Sequence, residues 1–436
     1  MKKILFFYNK LMDTFWFIPV LIIIISVFLS VSLVIIDQEF TFSQDGLGKY
    51  FFVTSADSAR SILSTISGAM IGVAGTVFSV TLVALTLASS QFGPRLIKNF
   101  MYVRLNQVVL GSYVATYLYC LFVLNAIKEG DNYTFIPVIS ILVAIITALV
   151  NIILLIIFIH KIATSIQADK VISDISEVIY KQVNSLYPNK MGEALENEKI
   201  NIVDIIKTKY INTIAIKSPK SGYIQYIDSE ALLKTVSSYD ALLELFFRPG
   251  DHLVEGIEIG KLYINNSSNK EQIEEICNQF VIGKTKVAEQ DLEFSIHQMV
   301  EIASRALSPG VNDPYTAITC IDNLTATTCR FSQIEFPSKY RIDDKQNLRI
   351  IANTTDFEGL LNASFNQIRQ FSAGSPAVII RLMEAQITIY GFVKKENYKK
   401  AVRKHATMIL NIGKQTIKED IDLNDLHERS KRILSE

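Results

Sequence analysis

Hydrophobic positions along the chain follow two regimes. Up to residue 161 they come in long unbroken runs, and beyond it they recur with helical and strand periods. Four runs stand out: FWFIPVLIIIISVFLSVSLVII (residues 15–36), then residues 62–92, 107–127 and 135–160, all without acidic side chains, Lys or Arg. Each reaches the roughly 20 apolar residues that cross a hydrocarbon core about 30 Å thick. A soluble core helix needs no such run, so a four-helix transmembrane domain is expected over 1–161. No small-residue cleavage site follows the first run, which therefore reads as an anchor. Trp16 and Phe17 suit an interfacial belt.

Charges between the runs predict an orientation. Lys2, Lys3 and Lys10 precede the first run, Arg95, Lys98 and Arg104 fill the second loop, and Lys161 and Lys170 follow the fourth. The first loop sets Asp37, Glu39, Asp45 and Asp57 against Lys49 and Arg60, and the third holds one base, Lys128. The positive-inside rule then places both termini, and everything from residue 161, in the cytoplasm at a bacterial inner membrane. Membrane lipids are the expected surroundings, and Arg95, Lys98 and Arg104 can hold their phosphates or attract anions at a mouth.

The second run carries the most information. Thr65, Gly68, Gly72, Gly75, Ser79 and Thr86 recur every three or four positions or a multiple of that spacing, which draws one small, weakly polar stripe down a helix face. Close helix packing is the plainer reading, because small residues let backbones approach. A pore wall for small ions, formed by several copies around an axis, is the functional one. Pro94 is expected to end this helix. Asn151, in the middle of the fourth run, is an intramembrane amide and so a functional candidate; hydrogen bonding to a neighbouring helix is its simpler role.

Past residue 161 the pattern changes. Residues 162–210 are expected to form an amphipathic stalk, with Ile162, Ile166, Val171, Ile175, Val178 and Ile179 as its apolar set, and then a polar linker. Residues 211–264 alternate and are broken by the turn signals PKSG and RPGD, which predicts a β-rich module. SGYIQYID and RPGDHLVEGIEIGKLYI resemble the barrel-sandwich modules of lipoyl, biotinyl and membrane-fusion adaptor domains. No carrier Lys occupies the hairpin position, so a structural use is expected. Residues 265–436 then read as a helical cytosolic domain, completing an α+β soluble part.

Within that domain, Asp291, Gln298 and Arg305 are spaced seven apart, on one helix face. The stretch RALSPGVNDPYTA reads as a corner between two helices. Gly310 is expected to supply a positive φ at the end of the first, and Asp313-Pro314 to cap and start the second. Local backbone chemistry accounts less well for Arg305, Ser308 and Asn312. Arg305 can reach Asp313 or an outside anion, and the amides at the new helix start can also bind one. A structural corner is the plainer reading and a ligand or partner site the alternative.

Composition narrows the field. Lys+Arg and Asp+Glu balance at 43 each, which does not indicate a nucleic-acid binder. Cys120, Cys277, Cys320 and Cys329 form no CxxC pair, and His297 has no second ligand at metal spacing, so no metal and no cofactor is expected. GAMIGVAG lies within a span and lacks the GK[ST] of a phosphate loop, and no HExxH or nucleophile elbow is present, which argues against an enzyme.

RALSPGVNDPYTAITCIDNL resembles the signature of a bacterial domain-of-unknown-function family of predicted membrane proteins. SSQFGPRLIKNF, NQVVLGSYVATYLYCLFVL, FIHKIATSIQA, SGYIQYID, RPGD and QDLEFSIHQMVEIA carry the same resemblance, in order, over nearly the whole chain. Where the family commonly has Ile and Phe, this chain has Val311 and Tyr315. The resemblance implies four spans and a cytosolic domain, and it implies no reaction or substrate. Two functions compete on the residues. One is an oligomeric channel or passive small-solute pathway with a cytosolic gating or vestibule domain, in a layout similar to that of small mechanosensitive channels. The other is a membrane-anchored sensor or scaffold that binds a ligand or protein at the SPGVND corner.

Overall fold

The structure is a computed structural model. It describes residues 11–12, 14–39, 55–93, 104–130, 133–165, 167–186, 193–194, 206, 209–265 and 270–435. The chain divides into two compact units, Met1–Lys170 and Val171–Glu436.

Among the described residues the first unit contains four helices long and apolar enough to cross a membrane: α1 (Phe17–Glu39), α2 (Ala56–Phe92), α3 (Arg104–Ala126) and α4 (Val138–Ser165). In hydrocarbon every backbone amide needs an internal partner, which an uninterrupted helix supplies. A hairpin, β1 (Lys128–Gly130) with β2 (Tyr133–Phe135), joins α3 to α4. Phe135, expected within the fourth span, therefore belongs to a strand. Pro137 sets the true start, because it disfavours a helical residue before it while its carbonyl accepts the first helical amide, that of Ile141, at 3.1 Å.

α3 is the central helix and touches the other three. Gly111 allows its closest approach: a Cβ there would lie 2.8 Å from the Cα of Pro19 in α1. Two apolar clusters fill the bundle. One joins Leu63, Tyr119, Cys120, Val123 and Ile141; the other joins Met70, Val77, Val109, Tyr113 and Phe158. Large side chains point away from the bundle, among them Phe28 at 71% exposed and Ile156 at 65%, as an apolar surrounding requires.

The amphipathic stalk expected from residue 162 is carried by α5 (Ala168–Leu186), a helix distinct from α4, and the second unit begins within it at Val171. The buried face of α5 is Val171, Ile172, Ile175, Ile179 and Val183, a strict helical spacing, while Val178 is 42% exposed. Strands β3 (Glu193–Ala194), β4 (Asn212–Lys217), β5 (Gly222–Ile227), β6 (Leu242–Leu245), β7 (His252–Leu253), β8 (Glu258–Ile264), β9 (Phe280–Gly283), β10 (Tyr340–Ile342) and β11 (Leu348–Ala352) form two sheets. One has the order β3-β10-β11-β6-β8-β4 and the other β7-β5-β9. The sequence reading from 265 onward was all helical, whereas β9, β10 and β11 are strands; β11 lies parallel to β6, with Ile350 opposite Leu243. A core of Ile216, Ile224, Leu232, Val236, Leu243, Leu262 and Ile350 forms between the strands, α6 (Ser229–Ser238) and α7 (Lys270–Cys277).

The rest of the unit is helical: α8 (Leu292–Ala306), α9 (Pro314–Phe331), α10 (Phe357–Phe371), α11 (Pro376–Phe392), α12 (Glu396–Thr416) and α13 (Asp420–Leu434). Met299, Leu324, Phe331, Phe365, Leu382, Ile409 and Leu426 are fully buried there.

Candidate functional site

In α2 the buried face is Leu63, Ser67, Met70, Ala74, Val77, Thr81, Ala84 and Ala88. At about 100° per residue, Thr65, Gly68, Gly72, Gly75, Ser79 and Thr86 fall on the opposite face, and all six are exposed. A Cβ added to Gly68, Gly72 or Gly75 would meet nothing within 4 Å. Among the described residues, the three glycines of the stripe thus face open space, away from the other helices. Its hydroxyls turn back onto carbonyls one turn earlier: Thr65 to Ser61 at 2.7 Å, Ser79 to Gly75 at 3.0 Å and Thr86 to Leu82 at 2.9 Å. The donors are satisfied within the helix, so the face is narrow, smooth and uncharged.

Asn151 is fully buried and serves as a junction of three helices. Its Oδ1 accepts from Ser112 at 2.5 Å, its Nδ2 donates to Thr116 Oγ1 at 2.8 Å, and its carbonyl accepts from Tyr113 OH at 2.7 Å. Its Nδ2 also lies 3.5 Å from Met70 Sδ. The amide is spent on helix–helix bonding.

A second polar clamp was not anticipated. Asp37, at the end of α1, accepts from the Ile139 and Ser140 amides at 2.9 and 3.0 Å and from Ser140 Oγ at 2.7 Å. It thereby caps α4 with a carboxylate where the helix dipole favours one. A partner about one hundred residues away leaves no local signal in the sequence. Of the basic mouth residues, Arg104 is the first residue of α3, and Arg95 and Lys98 lie outside the described residues.

At the SPGVND corner, Asp313 caps α9 as expected, accepting from Thr316 N at 3.1 Å and Thr316 Oγ1 at 2.6 Å, with Pro314 in the first turn. The positive φ falls on Asn312, at 50°, and not on Gly310. Asn tolerates this conformation because its short polar side chain costs little there. Ser308 donates to the Arg305 carbonyl at 2.7 Å and its own carbonyl accepts the Asn312 amide at 2.9 Å. The Asp313 amide donates to Ala306 at 2.8 Å, closing the turn. Asp313 spends its carboxylate on Thr316, and no ion pair joins it to Arg305. The corner presents Val311 at 51% exposed and Tyr315 at 79%.

Asp291 lies at the other end of α8 from Arg305. Fourteen residues at about 1.5 Å each put some 21 Å between them, so the two do not share a site; Gln298 is buried midway. Asp291 caps α8, accepting from Phe294 N at 3.0 Å, with Lys286 Nζ at 3.8 Å. Burial raises its carboxyl above the ordinary range, against the lowering pull of the Phe294 amide and Lys286.

The RPGD turn meets this helix start. Gly250 has φ 94°, and a Cβ on it would collide with the Asp291 carboxylate. Arg248 reaches Glu293 at 2.7 Å and Thr355, while its amide donates to Asp251 at 2.9 Å. RPGD and QDLE, two separate motifs in the sequence, therefore form one clamp between the sheets and the helices.

Between α9 and α11 lies a cavity of about 530 Å³, bordered by Asp322, Cys329, Arg330, Arg381, Glu384 and Phe392 among others. Arg381 bridges Asp322 at 2.6 Å and Glu384 at 2.8 Å, and the Arg330 guanidinium stacks 3.6 Å over the Tyr180 ring. Burial pushes the Cys329 thiol up to about 11, which keeps it protonated and unreactive. Among the described residues no group of three or more His, Cys, Asp or Glu is arranged to hold a metal.

Four apolar spans joined to a mixed sheet-and-helix unit define a multi-span membrane protein. The chain matches the family described as Predicted membrane protein (DUF2254) across residues 12–387, and it belongs to that family. An uncharacterized protein of Mycobacterium bovis and one of Mycobacterium tuberculosis are each 29% identical over 383 residues, which cover 86% of this chain and 72% of theirs. No solved structure matches the chain.

Proposed function

We propose that this membrane protein is the subunit of a homo-oligomeric passive pathway for small ions in the bacterial inner membrane. The Gly/Ser/Thr face of α2 lines the path or seals it between copies. The unit from Val171 onward is a cytosolic vestibule or gate. One observation carries the reading: among the described residues the small-residue face points away from the other helices and its glycines have open space before them. A surface that narrow and uncharged suits either close contact with the same face of another copy or a water-filled path. The test is reconstitution of the purified protein in liposomes with single-channel recording under voltage and then tension. Discrete openings that change in Gly72→Leu and Ser79→Leu are expected. Silence from a well-folded oligomer would remove the reading.

A membrane-anchored sensor or scaffold is the second reading. It is favoured by the exposed Val311 and Tyr315 at the SPGVND corner and by the cavity between α9 and α11.

A further inference from the structure

Arg341 and Arg349 stand on adjacent strands, β10 and β11, and are equally buried at 4% exposed. Arg349 is fully engaged: its Nε lies 2.7 Å from Asp343, its Nη1 2.6 Å from Asp240, and Nη1 also donates to the Ala241 carbonyl at 3.4 Å. Arg341 has no such company. Its Nε and Nη1 are sealed from solvent and meet no acceptor. Among the described residues no neighbouring charge offsets its burial, and burial lowers its basicity. An arginine keeps its proton under nearly all conditions, so an uncompensated guanidinium in this position is costly.

Among the described residues β10 pairs on its outer side with the two residues of β3, Arg341 lying opposite Ala194. Lys339, two residues earlier, is exposed, and its ammonium rests 5.2 Å from the Tyr340 ring centroid with no carboxylate paired to it among the described residues. A buried cation and an exposed one thus lie within one short segment at the margin of the sheet.

We propose that Arg341 anchors an oxyanion site at the outer margin of β10, which takes the phosphate or carboxylate group of a small ligand, with Lys339 at its entrance. A guanidinium fork holds such a group through paired hydrogen bonds. The same burial that makes the bare cation costly makes its pairing with an anion strong. The proposal is independent of the ion-pathway reading, since no residue of α2 takes part.

The experiment is thermal unfolding of the full-length protein in detergent against increasing inorganic phosphate, and separately acetate, at ionic strength held constant with sodium chloride. The expected result is a saturable rise in melting temperature of several degrees. A rise with phosphate alone assigns a phosphoryl group, and a rise with both assigns oxyanions generally. Arg341→Met should remove the saturable rise, and Arg341→Lys should weaken the apparent affinity about tenfold, because a point charge replaces the fork. A flat wild-type response to both anions would overturn the site. So would an equal rise in Arg341→Met, which would mark a general salt effect. If the Met variant does not fold, unchanged affinity in Arg341→Lys would overturn it as well.

Discussion

His405 is 1% exposed between α10 and α12, with one ring nitrogen, Nε2, 2.9 Å from Asn362 Oδ1. Burial pushes its pKa down to about 4, and the nearby Arg369 and Lys404 push the same way, against Glu358. The folded state therefore favours the neutral ring, whereas the unfolded chain takes up a proton near the ordinary value of about 6.5. The stability this provides is whole above that value and is lost as pH falls from about 6.5 toward 4, by up to roughly 3 kcal/mol. His405→Gln keeps a donor for Asn362 and removes the titration. Melting temperatures between pH 7 and 4.5 should fall more steeply in the wild type than in this variant, and parallel curves would refute the assignment. The sequence showed His405 only as one of five histidines. Its burial depends on α10 packing across it, which no local pattern records. Asn151 was more legible, because a lone amide in an apolar run must find a partner wherever the helices place one.

At the scale of elements, glycines in two spans have opposite environments. Gly111 faces the Pro19 backbone inside the bundle, and Gly72 faces open space. Gly111→Ala should push α1 and α3 apart and cost about 1–3 kcal/mol, as overpacking does. Gly72→Leu should leave the isolated subunit's melting temperature nearly unchanged and weaken only association or flux. Unfolding in detergent, beside the oligomer distribution of each variant, separates the two; equal destabilisation by both would contradict the geometry. The small-residue stripe was legible from spacing alone, yet spacing does not tell whether a face looks inward or outward. The spans themselves were plain, since length and apolarity are one-dimensional properties. Strands β10 and β11 were not. LRIIA is a short run interrupted by Arg349, and its partner on one side, β6, is about one hundred residues away. The meeting of RPGD with QDLE escaped for the same reason: RPGD predicts its own turn, Asp291 of QDLE reads only as part of a helix face and is instead the cap of α8, and only the tertiary fold joins the two motifs.

For the whole molecule, the remaining question is which way the bundle faces. One end gathers Asp37, Asp57, Arg60, Lys128 and Glu129, and there Arg60 pairs with Glu129 at 2.8 Å. The other end carries Arg104 and Lys161 at the level where Thr81 and Leu85 of α2, Asn106 of α3 and Ile162 of α4 border one small cavity. Among the described residues of the spans and hairpin, the acidic side chains thus collect at the first end and the second has bases alone. Positive residues are retained on the cytoplasmic side. By that rule the end with Arg104 and Lys161, and the chain that follows α4, are expected on the cytoplasmic side. In a background without the four native cysteines, Asp57→Cys and Ser435→Cys test this directly. Asp57 has an 89% exposed side chain in the first turn of α2, and Ser435 lies at the end of α13. In intact bacterial spheroplasts an impermeant maleimide should label Asp57→Cys at once and Ser435→Cys only after lysis. The reverse pattern would invert the bundle and place the second unit, with the SPGVND corner and Arg341, outside the cytoplasm, where intracellular ligands do not reach them.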